Sequence, residues 1–272
     1  MEQIVISDNE RLEEIKVAIK KDGAERLHVL ADFDRTLTTA FVDGKSVPSL
    51  ISILRDGNYL TSDYAEKAHA LFDKYHPIEI DPNVPRKDKE VAMEEWWRTH
   101  FKLLIESGLE RNDLEKAVAS GKVKLRKGFV EFADFLNKHN IPLVIMSSSG
   151  LGSESIALYL KQAGKLYNNV HIVCNEYEWD EAGRAVGVRE PIIHALNKYE
   201  TAIQDYPAFQ VVKDRKNVIL LGDGVDDIGM VQGFDYDNLA TIGFLNDKVE
   251  QHLEHYKKLL MLCLQEMPLW DM

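Results

Sequence analysis

Short apolar runs alternate with segments of helical period along most of this chain, and that alternation restricts the fold more than any other feature. Residues 27–33, 141–147, 170–174, 217–222 and 239–244 are apolar and of strand length, as strands buried on both faces are. Residues 130–138, 154–163 and 191–206, and the shorter 226–233, place apolar side chains at helical spacing. An earlier helix over residues 8–22 has Leu12, Ile15 and Ile19 on one face, Asp8 as its N-cap and Gly23 as its stop. Strands joined through helices of this length pair in parallel by right-handed crossovers. The pattern therefore predicts an α/β fold with a doubly wound, mainly parallel sheet.

Residues 46–124 break the alternation, with helices at 64–75, 87–106 and 112–119 and no convincing strand. This predicts a helical cap, 46–124, inserted into a core made of residues 1–45 and 125–272. Ligands of open parallel sheets sit beyond the carboxyl ends of the strands, so an insertion leaving the first strand there would cover the site.

Asp32 and Asp34 stand at that strand's end, in ADFDRTLTTAFVDG. Residues two apart on a strand project to the same side, so both carboxylates can enter one crevice. Carboxylates that close must share a cation or a proton, and a hard divalent ion such as magnesium suits them when the remaining ligand is a phosphate. The plainer reading is an Asp-rich turn. An EF-hand is excluded, because its sixth position requires glycine and Leu37 stands there. A second strand runs into hydroxyls and glycines in LVIMSSSGLGSES, which offers backbone N–H groups at a helix start to an anion. A third, NVILLGDGVDDIGM, ends on Asp223, Asp226 and Asp227, which taken alone could be helix capping. Three such strand ends together make coincidence improbable.

Composition sets the partners. The chain has 272 residues, 45% apolar and 29% charged, with a formal charge of −12, which argues against a nucleic-acid partner. No run approaches a membrane span and the opening MEQIVISDNE lacks the regions of a signal peptide. The two cysteines, Cys174 and Cys263, lie in apolar surroundings without metal-type spacing, so a reduced, cytoplasmic setting is expected.

DFDRT, the strand-end serine, a lysine and GDGVDD together resemble the haloacid dehalogenase superfamily of phosphohydrolases. Within it the chain is similar to the cytosolic pyrimidine 5'-nucleotidase family, through Pro48, KYHPIEIDP, EEWW, KLLIESG, HALNKYE and IGFLND in the same order over residues 28–256. The resemblance implies a magnesium-dependent phosphomonoesterase for nucleoside 5'-monophosphates, pyrimidine ones favoured, with phosphotransfer to a second nucleoside as a further activity. It implies Asp32 as the nucleophile that becomes an aspartyl-phosphate, and Asp34 as the acid that protonates the leaving oxygen and then activates water. Asp223 would complete the metal site with Asp32 and the backbone carbonyl of Asp34, with Asp227 ligating through water or orienting a ligand. Ser148, aligned through Gly150 and flanked by its rivals Ser147 and Ser149, would bind phosphate. Lys198 would balance the charge of nucleophile and phosphate, although without the resemblance it reads as one more surface lysine.

The family's base-recognising glutamate falls on Glu95, next to Trp96 and Trp97, which could stack on a base or pack the cap's own core. Val47 and Ile51 stand where the family commonly has cysteine and histidine, and Gly224 where serine is frequent, which affects base specificity more than phosphate chemistry. A phosphatase for a sugar phosphate or phosphoserine, and a non-catalytic phosphometabolite-binding protein, are the alternatives. Residues 174–187 predict a hairpin closed at Glu181, Ala182 and Gly183. The stretch 255–270 has helical spacing that predicts packing or a dimer contact, in a monomer or homodimer.

Overall fold

A computed structural model of the chain describes residues 3–198 and 206–265, apart from Pro82, Phe234 and Lys248. Strand β1 (Gln3–Ile6) precedes helix α1 (Asn9–Asp22), whose Asp8 side chain accepts from the Arg11 backbone N–H, and Gly23 ends it at φ +79°. Strand β2 (Leu27–Ala31) follows, then a tiny hairpin, β3 (Phe41–Val42) and β4 (Lys45–Ser46). Four helices come next: α2 (Leu50–Asp56), α3 (Tyr64–Ile80), α4 (Arg86–Glu106) and α5 (Arg111–Ala119). The alternating part contains α6 (Phe129–Lys138), β5 (Leu143–Met146), α7 (Gly152–Gln162), β6 (Val170–Val173), a hairpin of β7 (Tyr177–Trp179) and β8 (Ala185–Val188), then α8 (Pro207–Val212) and β9 (Asn217–Gly222). A 3₁₀ helix (Val225–Gly233), β10 (Asn238–Leu245), α9 (Val249–Leu259) and β11 (Leu262–Gln265) follow.

Among the described residues, seven strands form the main sheet in the order β1-β11-β10-β9-β2-β5-β6, all parallel except β1 on β11. Strand order reverses at β2, which sits between β9 and β5, so the crevice beyond its carboxyl end is where a ligand belongs in such a sheet. Both faces are covered. On one, Leu27, Val29, Ala31, Ile145 and Leu221 pack with Phe129, Ala133 and Leu136 of α6 and with Ile156 and Leu160 of α7. On the other, Leu30, Val144, Met146, Val218 and Leu220 meet Ala208 and Val212 of α8 and Met230 of the 3₁₀ helix. Leu50, Leu54, Phe101, Leu104 and Leu114 of the inserted helices are continuous with the first of these cores.

Three features depart from the sequence pattern. Residues 191–198 are bends and turns, not the first half of a helix over 191–206; residues 199–205 lie outside the described residues. Side chains capture the backbone groups a helix would need: Asn197 Oδ1 accepts from the His194 N–H at 2.7 Å, and Asn197 Nδ2 donates to the Ile192 carbonyl at 2.9 Å. The stretch 255–270 is helical only to Leu259, after which Leu262–Gln265 joins the sheet between β10 and β1, and residues 266–270 lie outside the described residues. Strand β1 and helix α2 carry no strong local pattern, and tertiary pairing forms them.

His28, fully buried on β2, makes the fold sensitive to acid. Burial disfavours the imidazolium and lowers its pKa to about 4. Because the folded value lies below the unfolded one, the contribution to stability is full above pH 6.5 and is lost as the pH falls towards 4. It amounts to about 3 kcal/mol. Denaturant midpoints measured from pH 7 to pH 4 should therefore fall less steeply for His28→Leu than for the parent chain; parallel curves would show that His28 is not held neutral.

Candidate active site

The site is built from three neighbouring strand ends. The Asp32 N–H donates to the Leu221 carbonyl at 3.0 Å, which extends the β2–β9 pairing by one residue past Ala31. The chain then winds through a wide turn, Phe33–Leu37, closed by the Thr38 N–H on the Phe33 carbonyl at 3.1 Å. Arg35 takes φ +60° inside it, a left-handed conformation that costs a non-glycine residue about 1–2 kcal/mol. Distant side chains hold the turn there. Arg126 donates to the Thr36 carbonyl at 2.7 Å and the Arg35 carbonyl at 2.5 Å, and Asn246 Nδ2 donates to the same Arg35 carbonyl at 3.0 Å.

Asp32 is 6% exposed and faces Lys198, whose Nζ donates to Asp32 Oδ1 at 2.5 Å and to Asp227 Oδ1 at 2.9 Å. Asp227 Oδ2 accepts from the Gly224 N–H at 2.9 Å. Only glycine fits at 222, where a Cβ would stand 2.5 Å from that of Asp227. Carboxylate oxygens of Asp32, Asp223 and Asp227 all lie within 4.8 Å of one another. Lys198, with Arg35 Nε 4.0 Å from Asp223, does not neutralise three carboxylates, and a compact set of hard oxygen donors with surplus negative charge is what a divalent cation binds. The residues present fit such an ion.

Electrostatics follow from burial. Desolvation raises the Asp32 carboxyl to about 7, against the pull of Lys198 and with the push of Asp227. Desolvation likewise raises Asp34 to about 6 and holds Asp223 well above the carboxylate range. Burial would lower Lys198, but Asp227 and Asp32 outweigh it and raise its pKa. Asp34 Oδ1 is buried without a hydrogen-bond partner among the described residues. A carboxyl oxygen in that state can give or take a proton from a group entering the crevice.

Within the serine loop, Ser147 Oγ accepts from the Ser149 N–H at 3.2 Å and Ser149 Oγ accepts from the Leu151 N–H at 3.4 Å. Ser148 is half-buried and takes no part in these loop bonds through its hydroxyl; its carbonyl accepts from Trp97 Nε1 at 3.1 Å. Gly150 lies beneath α2, where a Cβ would approach Ile51 to 3.1 Å.

The structure thus gathers Asp32, Asp223, Asp227 and Lys198, with Asp34 beside them and the serine loop on the adjacent strand end. Lys198 reaches the site from a turn and not from the expected helix. Glu95 is exposed on α4, with a carboxylate oxygen 3.3 Å from Lys74 Nζ. Trp96 is buried against Tyr75, with ring centroids 5.8 Å apart, so packing accounts for it, whereas Trp97 touches the serine loop. Sequence reasoning missed Arg126, Asn246 and Tyr256, whose hydroxyl donates to the Asp223 carbonyl. Only Asn246 carried a signal, as part of IGFLND.

A family model described as pyrimidine 5'-nucleotidase (UMPH-1) matches residues 35–268. The chain belongs to this family. It is a 5'-nucleotidase, a hydrolase of the haloacid dehalogenase superfamily. Among relatives of this nucleotidase, the 7-methylguanosine phosphate-specific 5'-nucleotidase of Gallus gallus is 35% identical over 252 residues, 92% of this chain and 86% of that one. The Homo sapiens protein of the same name is 36% identical over 90% of this chain and 82% of its own. A putative cytosolic 5'-nucleotidase 3 of Caenorhabditis elegans is 32% identical over 97% of this chain and 71% of its own. The crystal structure of cytosolic 5'-nucleotidase IIIB bound to cytidine superposes with a TM-score of 0.86 at 27% identity, over 98% of this chain and 89% of that one.

Proposed function

We propose that this nucleotidase is a magnesium-dependent phosphomonoesterase that hydrolyses nucleoside 5'-monophosphates through a phosphorylated Asp32, beneath a helical cap formed by residues 46–124. The carrying observation is Lys198 shared by Asp32 and Asp227, with Asp223 inside the same 4.8 Å cluster. Asp32, Asp223 and Asp227 would hold the ion, with the Asp34 carbonyl beside them. When bound, magnesium neutralises charge on the phosphoryl oxygens. Asp32 attacks phosphorus in line, the bond from phosphorus to the ribose 5' oxygen breaks, and Asp34 gives that oxygen its proton. A water then attacks the phosphorus of the acyl phosphate, Asp34 takes the water's proton, and inorganic phosphate leaves with Asp32 restored. Ser148 donates to a phosphoryl oxygen and Lys198 offsets its charge.

Two bases suit the family: pyrimidines, by its description and the cytidine-bound neighbour, and 7-methylguanine, by the names of the relatives. No helix among the described residues is long and apolar enough to cross a membrane, and the word cytosolic in two related names supports a cytoplasmic setting. Phosphate release from CMP, UMP, AMP, GMP, 7-methyl-GMP, ribose 5-phosphate and phosphoserine tests the reading. We expect a nucleotide to lead the panel by about ten-fold or more. Ribose 5-phosphate or phosphoserine leading would replace the nucleotide assignment. Glu95→Ala should lower the ratio of the best nucleotide to ribose 5-phosphate about ten-fold; an unchanged ratio would remove Glu95 from base recognition and leave its pairing with Lys74 as its role.

A further inference from the structure

The turn that delivers Lys198 is held from two sides. On the core side, Asn175 at the end of β6 brackets Ile193, accepting its N–H at 2.8 Å and donating to its carbonyl at 2.9 Å. On the other side the inserted helices take over. Leu196, 5% exposed, is buried in a small cluster whose other buried members, Tyr75, Met93 and Trp96, all come from α3 and α4. Arg86, at the start of α4, donates to the Leu196 carbonyl at 3.1 Å and also faces Glu90 and, at 3.7 Å, Asp226. Further along α4, Arg98 pairs with Glu190 through two bonds of 2.6 and 3.0 Å.

We propose that Leu196 is a positioning residue, through which the seating of helix α4 on the core sets the place of Lys198 against Asp32 and Asp227. This rests on the role given above to Lys198. Leu196 stands two residues before Lys198, a span of at most about 7 Å, so the seating of Leu196 bears directly on the backbone that carries the lysine. Withdrawal of α4 would expose the Leu196 side chain and strip its carbonyl of the Arg86 donor, while Asn175 still held Ile193. The lysine end of the turn would then be the part released. Displacement of a positioned cation by about 1 Å is enough to cost up to a hundred-fold in rate. The site is accordingly complete only with the insertion docked, which ties the phosphoryl chemistry to cover from water.

A double-mutant cycle on the full chain tests this with the best substrate of the panel. Lys198→Ala should lower kcat/KM about a hundred-fold. Leu196→Ala should lower it about ten-fold, through kcat more than KM, and Leu196→Met should restore it to within about two-fold. In the Lys198→Ala background, Leu196→Ala should cost less than a further two-fold, because nothing remains for it to position. Multiplying effects, an unchanged kcat in Leu196→Ala, or no rescue by methionine would overturn the coupling while leaving the lysine's role intact. Full activity in Lys198→Ala would overturn the site assignment, and the coupling with it. Thermal melts report whether each variant folds; if Leu196→Ala does not, Arg86→Gln replaces it in the same cycle, and multiplying effects there overturn the proposal equally.

Discussion

Asp32→Asn is expected to reduce turnover on the order of 10⁴-fold or more while the protein still folds and binds phosphate. Asparagine keeps the shape and an oxygen for Lys198 Nζ, so the ammonium, still paired with Asp227, can keep donating to that oxygen. What disappears is the nucleophile, since an amide oxygen does not displace an alkoxide from phosphorus at a useful rate. Folding should not suffer. Asp32 is buried beside Asp223 and Asp227, and removing one of three close negative charges relieves repulsion that Lys198 and Arg35 together do not cancel. The measurement is a single-turnover assay of phosphate release beside a thermal melt of the same preparation. A melt at or above that of the parent, both without metal, with activity gone is the expected pair; activity within ten-fold of the parent would mean that another group attacks phosphorus.

Removal of divalent metal should abolish activity to a similar degree and also lower stability. The three carboxylates within 4.8 Å form a donor set that is self-repelling when empty and satisfied when a cation fills it. A ligand that binds only the folded state adds about 2.7 kcal/mol at one hundred times its dissociation constant. Dialysis against a chelator should therefore depress the melting midpoint, and magnesium should restore midpoint and activity together. Asp223→Asn should blunt both responses. Full activity after exhaustive chelation would show that Lys198 and the serine loop suffice for the chemistry, and the reading of the acidic cluster would fail.

Much of the site was legible because its acids lie at the ends of recognisable strands. Asp32 follows an apolar run and Asp223 follows another, and parallel strands put both ends on one edge of the sheet. Ser148 needed the glycines after it to be aligned, and Ser147 and Ser149 differ from it in that their hydroxyl oxygens accept backbone N–H groups within the loop. Lys198 shows the opposite case. Its surroundings in sequence spell an amphipathic helix, yet Asn197 and His194 tie residues 192–197 into a turn, and its partner Asp32 is 166 positions away. Arg126 and Asn246 meet across 120 positions to hold the Arg35 turn, and no local window records that.

By itself, then, the amino-acid order determined the α/β class, most core strands and helices, the helical interruption and the acidic strand ends. These are matters of period and spacing, written along the covalent chain. Only the tertiary structure decided that β11 slots between β10 and β1, that Glu95 faces Lys74, and that α4 grips the turn carrying Lys198 from the side opposite Asn175 of the core. Those outcomes depend on which distant surfaces exclude water from one another, and burial of that kind belongs to pairs of segments, not to either segment alone.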